Sequence, residues 1–392
     1  MKSSVYRSST TSASYKVELY RFSSLKRGLL SSRSRFKQKE EKNSRYMLSW
    51  FGYRAVDSET SETSMAAPSG AATVQPDFRI REVSANNGFI LYLKTACCYL
   101  PHPDKISYGG EDAHFISSVG GGACGVADGV GGWQESGVNP ADYSRGLMHV
   151  ASMYLEGTGP FSQEQRPPGP LIDPRGALHA AHMRTRVAGS ATACVMQLDQ
   201  ARRMLVAANL GDSGFIVVRG GKVIAKSKPL QHYFDCPLQF GCYPDYVEAT
   251  DTADMADLYR VPLQPGDIVV AGSDGLWDNA FEHEIIEAVT TNADAQQAAN
   301  KLAALARVHA SDPEFASPYT REALSQGLDL PWWEKLFGAS FKNGRFQLRQ
   351  LTGGKQDDIT VIVSQVHAEA SDALQVEQCA PNLGGASDFN PK

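Results

Sequence analysis

No apolar run in the 392-residue chain approaches the roughly 20 residues that a membrane-spanning helix needs, so a helical membrane span is excluded. The seven cysteines form no C-x-x-C pair, which argues against a zinc ribbon or a thioredoxin-type site and leaves reduced, structural thiols as the expectation. No N-x-S/T acceptor occurs either. Acid is nearly missing from the start of the chain, because residues 1–39 hold ten Lys or Arg, eleven Ser and a single carboxylate, Glu18. No apolar stretch of seven or more residues follows the first positive charges, which disfavours a secretory signal. What is there is ordinary globular composition: 42 % hydrophobic, 21 % charged, 35 Gly and 20 Pro. The first 39 residues carry +9 against a whole-chain charge of -5, which leaves -14 for the remainder. That acidic remainder speaks against a nucleic-acid partner, which would need a basic face.

Composition divides the chain into four stretches. Residues 1–45 match a mitochondrial transit segment, with Phe22, Leu25 and Leu29 at i, i+3, i+7 beside Arg21, Lys26 and Arg27; a solvated basic tail is the alternative. Residues 46–83 are a linker, polar and small from Asp57 to Gln75, with few groups able to repay the entropy of ordering. A folded domain is expected over 84–368, followed by a loose tail over 369–392.

Within the folded stretch, strands are expected at Arg203–Asn209, Phe215–Arg219, Lys222–Lys226, Asp267–Ala271 and Ile359–Val366. The Gly220-Gly221 pair predicts an antiparallel hairpin. Helical spacing is clearest at Phe281–Val289 and Asp294–Ala310. Segregated strand and helix blocks point to an α+β layered domain. Five times an acid stands beside Gly or another acid next to such a strand: Glu111-Asp112, Asp128, Asp212, Asp274 and Asp357-Asp358. Carboxylates on rigid strand ends would repel one another on converging unless a cation sat between them, and oxygen-only ligands suit Mg²⁺ or Mn²⁺.

These blocks resemble the metal-dependent protein serine/threonine phosphatases of type 2C. The likeness rests on GGEDAHF (109–115), GVADGVGGW (125–133), GSATAC (189–194), ANLGDSGF (208–215), GSDGLWDN (272–279) and KQDDITVI (355–362), in the family's order. Several blocks, among them YLPHPDKISYGGEDA and LQHYF, are similar to its mitochondrial branch, the phosphatases associated with T-cell activation and coenzyme Q biosynthesis. The resemblance implies a four-layer α-β-β-α sandwich with two central antiparallel sheets and a binuclear metal centre at one edge. It implies that Asp128 bridges two Mg²⁺ or Mn²⁺ ions, that Glu111 and the Gly129 carbonyl serve the first, and that Asp274 and Asp357 serve the second. Asp212, with Asp274 shared, matches the place of a third, weaker ion in some members, and Asp112 and Asp358 are expected as supporting or surface acids. The implied activity is hydrolysis of phosphoserine and phosphothreonine in mitochondrial-matrix phosphoproteins by water attack, with no covalent nucleophile.

Two positions depart from the family pattern. Ser107 stands where many relatives carry a phosphate-gripping Arg, and Val130 where many carry a candidate general-acid His; Lys105 and Arg145 are the candidate substitutes for the grip. The stretch from Gln231 to Asp257 falls where relatives have a substrate-facing flap, a plain surface loop being the alternative. Gly120-x-Gly122-x-x-Gly125 satisfies a dinucleotide fingerprint formally, but a strand hairpin explains it better than a strand-turn-helix. Gly211-Asp212-Ser213-Gly214 with His182 has the wrong spacing for a serine-protease site, and His179 with His182 lacks a third metal ligand. The rival from another class is a non-catalytic phosphatase-like module that binds a phosphoprotein or scaffold. Nothing in the pattern demands self-association, so a monomer is the default expectation.

Overall fold

The computed structural model describes residues 88–162, 171–243, 250–292, 294–331, 340–342, 345–347 and 351–370. The transit-like segment, the linker and residues 371–392 of the tail lie outside the described residues. The chain divides into two units, Met1–Arg79 and Ile80–Lys392, and every described residue belongs to the second.

In chain order the strands are β1 (Phe89–Leu100), β2 (Ala113–Ser117), β3 (Ala123–Ala127), β4 (Gly189–Ala191), β5 (Ala193–Asp199), β6 (Met204–Leu210), β7 (Gly214–Arg219) and β8 (Lys222–Lys226). They continue with β9 (Gln231–Tyr233), β10 (Cys236–Pro237), β11 (Phe240–Cys242), β12 (Asp257–Pro262), β13 (Ile268–Gly272), β14 (Ser340–Lys342), β15 (Arg345–Gln347) and β16 (Ile359–Ala370). The helices are α1 (Pro140–Glu156), α2 (Pro174–Arg184), α3 (Asp274–Trp277), α4 (Glu282–Thr291), α5 (Ala295–Ser311) and α6 (Pro318–Ser325). Two five-stranded antiparallel sheets form the centre, ordered β1-β16-β13-β7-β8 and β12-β6-β5-β3-β2.

Alternation along the strands sorts side chains into three cores. Val217, Val269, Ala271 and Ile362 meet Cys194, Met196 and Val126 between the sheets. Ile216, Val270, Val361 and Val363, one residue out of phase, pack on Leu276, Ile285 and Leu302 of α3–α5. Val195, Ala208 and Leu210 meet Tyr143, Leu147 and Leu178 of α1 and α2. The layers are therefore helix, sheet, sheet, helix, the α+β sandwich expected. Strands covered on both faces read as nearly unbroken apolar runs, which is why β7, β13 and β16 were legible in sequence.

The expected elements occur with ends shifted by a few residues, β16 running on to Ala370. Both glycines of the β7–β8 turn have positive φ, 55° and 74°, as a two-residue hairpin turn requires. The glycine fingerprint at 120–125 is a turn between antiparallel β2 and β3, with no helix after it. Helix α1 escaped the sequence reading although its signals are orthodox: the Asn139 side chain accepts from the Ala141 N–H, Pro140 follows, and Gly157 closes the helix at φ 69°. The 231–257 stretch holds β9, β10 and β11, the last paired with β4, so it is more than a plain loop. Among the described residues six cysteines are free, and no helix is long and apolar enough to cross a membrane.

Candidate metal centre and active site

Antiparallel register brings the acid-bearing segments to one end of both sheets. Ala113 at the start of β2 faces Ala127 at the end of β3, and Ala193 at the start of β5 faces Leu210 at the end of β6. In the other sheet Gly272 at the end of β13 lies between Gly214 of β7 and Val361 of β16. Glu111, Asp128, Asp212, Asp274 and Asp357 all sit just beyond these strand ends.

Each acid is held by its own local device. Asp128 and Gly129 continue the line of β3 and are pinned to the β4 segment: the Thr192 N–H donates to the Asp128 carbonyl (3.0 Å) and the Val130 N–H to that of Ser190 (3.0 Å). A Cβ at Gly129 would stand 2.6 Å from the Glu111 carbonyl oxygen, so only glycine allows the two segments to meet this closely. That carbonyl also accepts from the Ser144 hydroxyl of α1 at 2.5 Å. The Glu111 side chain is fully buried, with Tyr108 and Gln134 donating to Oε1.

The paired acids have different surroundings. Asp358, buried, accepts the backbone N–H groups of His102 (2.5 Å) and Glu111 (2.6 Å) on its two oxygens. Asp112, also buried, accepts the hydroxyls of Ser273 and Thr360 on one oxygen, both at 2.7 Å. These two acids tie β2, β13 and β16 together and are not surface groups. Asp357 stays half-buried, with one oxygen accepting from the Asp358 N–H (2.8 Å).

Among the described residues no three His, Cys, Asp or Glu side chains stand in ready-made ligating geometry; two ammonium groups lie among the carboxylates. Lys105, on the short 3-10 helix Pro103–Tyr108, reaches Glu111 Oε2 (2.5 Å), Asp357 Oδ1 (3.3 Å) and Asp358 Oδ2 (3.7 Å). Lys355 reaches Asp274 Oδ2 (2.7 Å), Asp278 Oδ2 (3.0 Å) and Asp235 Oδ1 (3.1 Å). Asp278, one helical turn after Asp274, and Lys355 were not singled out from sequence; the i, i+4 acid pair inside GSDGLWDN was the available signal for the former.

The charges are strongly coupled. Burial, and then Asp274, Asp112 and Asp357, push Asp128 well above the usual carboxylate range. Burial followed by Asp274 raises Asp212 to about 7 and Asp357 to about 6. Burial would raise Asp274 too, but the Lys355 charge together with hydrogen bonds from Lys355 and the Gly275 backbone outweighs it and holds that carboxyl below its ordinary value. Burial would lower Lys105, and Asp357, Glu111 and Asp358 outweigh it in turn. Carboxylates this close, with Asp274 Oδ1 buried and lacking a hydrogen-bond partner, form an all-oxygen donor set whose negative charge the two ammonium groups only partly offset. The donor set therefore fits hard divalent cations of the Mg²⁺ and Mn²⁺ type.

The decoys resolve on contacts. His182 Nε2 bonds the Thr250 hydroxyl (2.9 Å) and the Gly241 carbonyl (3.2 Å), while the Ser213 hydroxyl bonds Thr192 (2.7 Å), so each is committed to a separate local network. Ser107 is exposed. The Arg145 guanidinium donates to the carbonyls of Tyr108 (3.2 Å), Gly109 (3.4 Å) and Gly110 (3.2 Å) and braces the loop leading to Glu111.

No protein-family profile matches the chain. It is 42 % identical over 271 residues to "Probable protein phosphatase 2C 26" of Arabidopsis thaliana, covering 68 % of this chain and 81 % of that protein. The chain belongs to the protein phosphatase 2C family. It is also 34 % identical over 294 residues to the human "Protein phosphatase PTC7 homolog", across 71 % of this chain and 83 % of that one. The solved structure of the photosystem II phosphatase PBCP is similar at 40 % identity and a TM-score of 0.61, over 70 % of this chain and 98 % of that chain. As a protein phosphatase 2C the chain is a serine/threonine phosphatase.

Proposed function

We propose that this phosphatase hydrolyses phosphoserine and phosphothreonine in organellar phosphoproteins at a centre of two Mg²⁺ or Mn²⁺ ions. The carrying observation is the convergence of Glu111, Asp128, Asp274 and Asp357 at one sheet edge, with Gly129 packed against Glu111. Glu111, Asp128 and the Gly129 carbonyl would hold the first ion; Asp128, Asp274 and Asp357 the second; Asp212 lies at the place of a third in some relatives. When bound, such a pair lowers the pKa of a water, orients the phosphate oxygens and offsets charge on the leaving oxygen. Asp358 and Asp112 keep the ligand-bearing segments in place through backbone and hydroxyl donors. Lys105, already among these acids, is the cation best placed to meet a substrate phosphate, since Arg145 spends its guanidinium on backbone carbonyls.

Release of phosphate from a phosphothreonine peptide, measured with Mn²⁺ or Mg²⁺ titrated in and EDTA as control, tests the reading. Metal-dependent release that Asp128→Asn abolishes is expected. A fully active Asp128→Asn protein would sink the mechanism, and no release from a folded, metal-loaded wild type would favour the non-catalytic binding module.

The mitochondrial-matrix assignment rests on the basic, serine-rich first 45 residues and on likeness to PTC7 homologs. A chloroplast assignment has its own support, because the plant relative is the more similar of those compared and chloroplast transit segments share this composition. A fluorescent fusion of residues 1–60 imaged against both organelles decides between them, and diffuse cytosolic signal overturns both.

A further inference from the structure

Lys355 is built into the acid cluster. The buried Asn279 side chain clamps its backbone from both sides: Asn279 Oδ1 accepts the Lys355 N–H (2.9 Å) and Asn279 Nδ2 donates to the Lys355 carbonyl (2.8 Å). The same amide donates to the Gly275 carbonyl (3.0 Å), which ties the Lys355 segment to α3, the helix carrying Asp274 and Asp278. So anchored, the ammonium meets Asp274, Asp278 and Asp235 within 3.1 Å and lies 5.2 Å from the centre of the Tyr319 ring. Asp235 belongs to the turn between β9 and β10, where it adopts a positive φ of 60° and accepts from the Tyr319 hydroxyl (3.2 Å). One cation thus joins a metal-site acid, its helical neighbour, the β9–β10 hairpin and α6.

We infer that Lys355 is a positioning residue, a tethered cation that, held by Asp274 and Asp278, takes the place of a third metal ion beside Asp274 and so limits the wild-type centre to two divalent ions. The inference rests on the binuclear reading above. A lysine is suited to this task because its charge is a compact point on a flexible stem, able to sit where a small cation would and to donate to three acceptors at once. Unlike a dissociable ion, it holds Asp274 Oδ2 and fixes the hairpin at every metal concentration.

The test counts Mn²⁺ bound per chain, by equilibrium dialysis with elemental analysis, and follows kcat and KM on a phosphothreonine peptide. Wild type and Lys355→Arg are expected to saturate at two ions. Lys355→Met, neutral and similar in length, is expected to take up a third, weaker ion, which Asp278→Asn in the same background removes. At Mn²⁺ levels that fill only two sites, kcat of Lys355→Met should fall on the order of tenfold with KM little changed, and recover as the third ion enters. A wild type that binds three ions overturns the inference, as does a folded Lys355→Met that binds two with unaltered kcat. If Lys355→Met does not fold, the wild-type and Lys355→Arg counts still decide. A wild type that binds no ion overturns the binuclear reading itself, so the two failures are distinguishable.

Discussion

Gly129 and Glu111 come within van der Waals reach only because one of them has no side chain. Adding a methyl in Gly129→Ala sets it 2.6 Å from the Glu111 carbonyl, and backbone must move apart to relieve the overlap. We expect at least a tenfold loss of metal-dependent turnover with a stability cost of about 1–3 kcal/mol, read by steady-state kinetics and by denaturant melts. Lys105→Met removes the ammonium proposed to meet the substrate phosphate. The expected effect is a 10- to 100-fold drop in kcat/KM on phosphopeptide, mainly through KM, the size of one charge-assisted contact. Arg145→Met instead removes the donor shared by three loop carbonyls, of which Gly109 alone keeps another, the Tyr99 hydroxyl. It should lower the melting temperature and reduce kcat through misplacement of Glu111, a pattern that kinetics and melts on both variants would separate from that of Lys105→Met.

At the level of elements, the strands end where the chemistry begins, and their opposite ends are free to serve the fold alone. The Gly220-Gly221 turn joins β7 to β8 at the end remote from Gly214 and Asp212. Val at position 220 would be forced to positive φ, costing about 1–2 kcal/mol, so Gly220→Val should lower the denaturant midpoint with kcat unchanged. Helix α1 shows how an element hides in sequence. Its buried positions, Tyr143, Ser144, Leu147, Met148, Ala151 and Leu155, mix polar and small groups with apolar ones, so the stripe is diluted and only its Asn-Pro start and Gly stop stand out. By contrast β7, β13 and β16 declare themselves because both of their faces are covered.

For the whole domain, concentrating like charge at one edge has a thermodynamic consequence. Asp212 and Asp357 bind protons more tightly when folded, at about 7 and about 6, than the ordinary carboxylate does in the unfolded chain. Without metal, the stabilisation they contribute is full below about pH 4 and is lost as pH rises through 6 to 7. Metal-free protein should therefore melt at lower temperature at pH 8 than at pH 5.5. Mn²⁺ at 100 times its dissociation constant should add about 2.7 kcal/mol at pH 8.

Local chemistry determined much of this protein from sequence alone. The acid motifs at 111, 128, 212, 274 and 357, the covered strands, the β7–β8 hairpin and the α+β layering were all legible, since each is written in residues within a few positions of one another. Tertiary structure decided what depends on contacts between distant segments. Asp358 accepts from Glu111 and Asp112 from Thr360, both across nearly 250 residues, while Lys105 reaches Asp357 and Lys355 enters the Asp274–Asp278 pair. Periodicity reports which face of an element is buried, but not which distant carboxylate a lysine will meet. That is settled only when antiparallel register brings both sheet edges to one place.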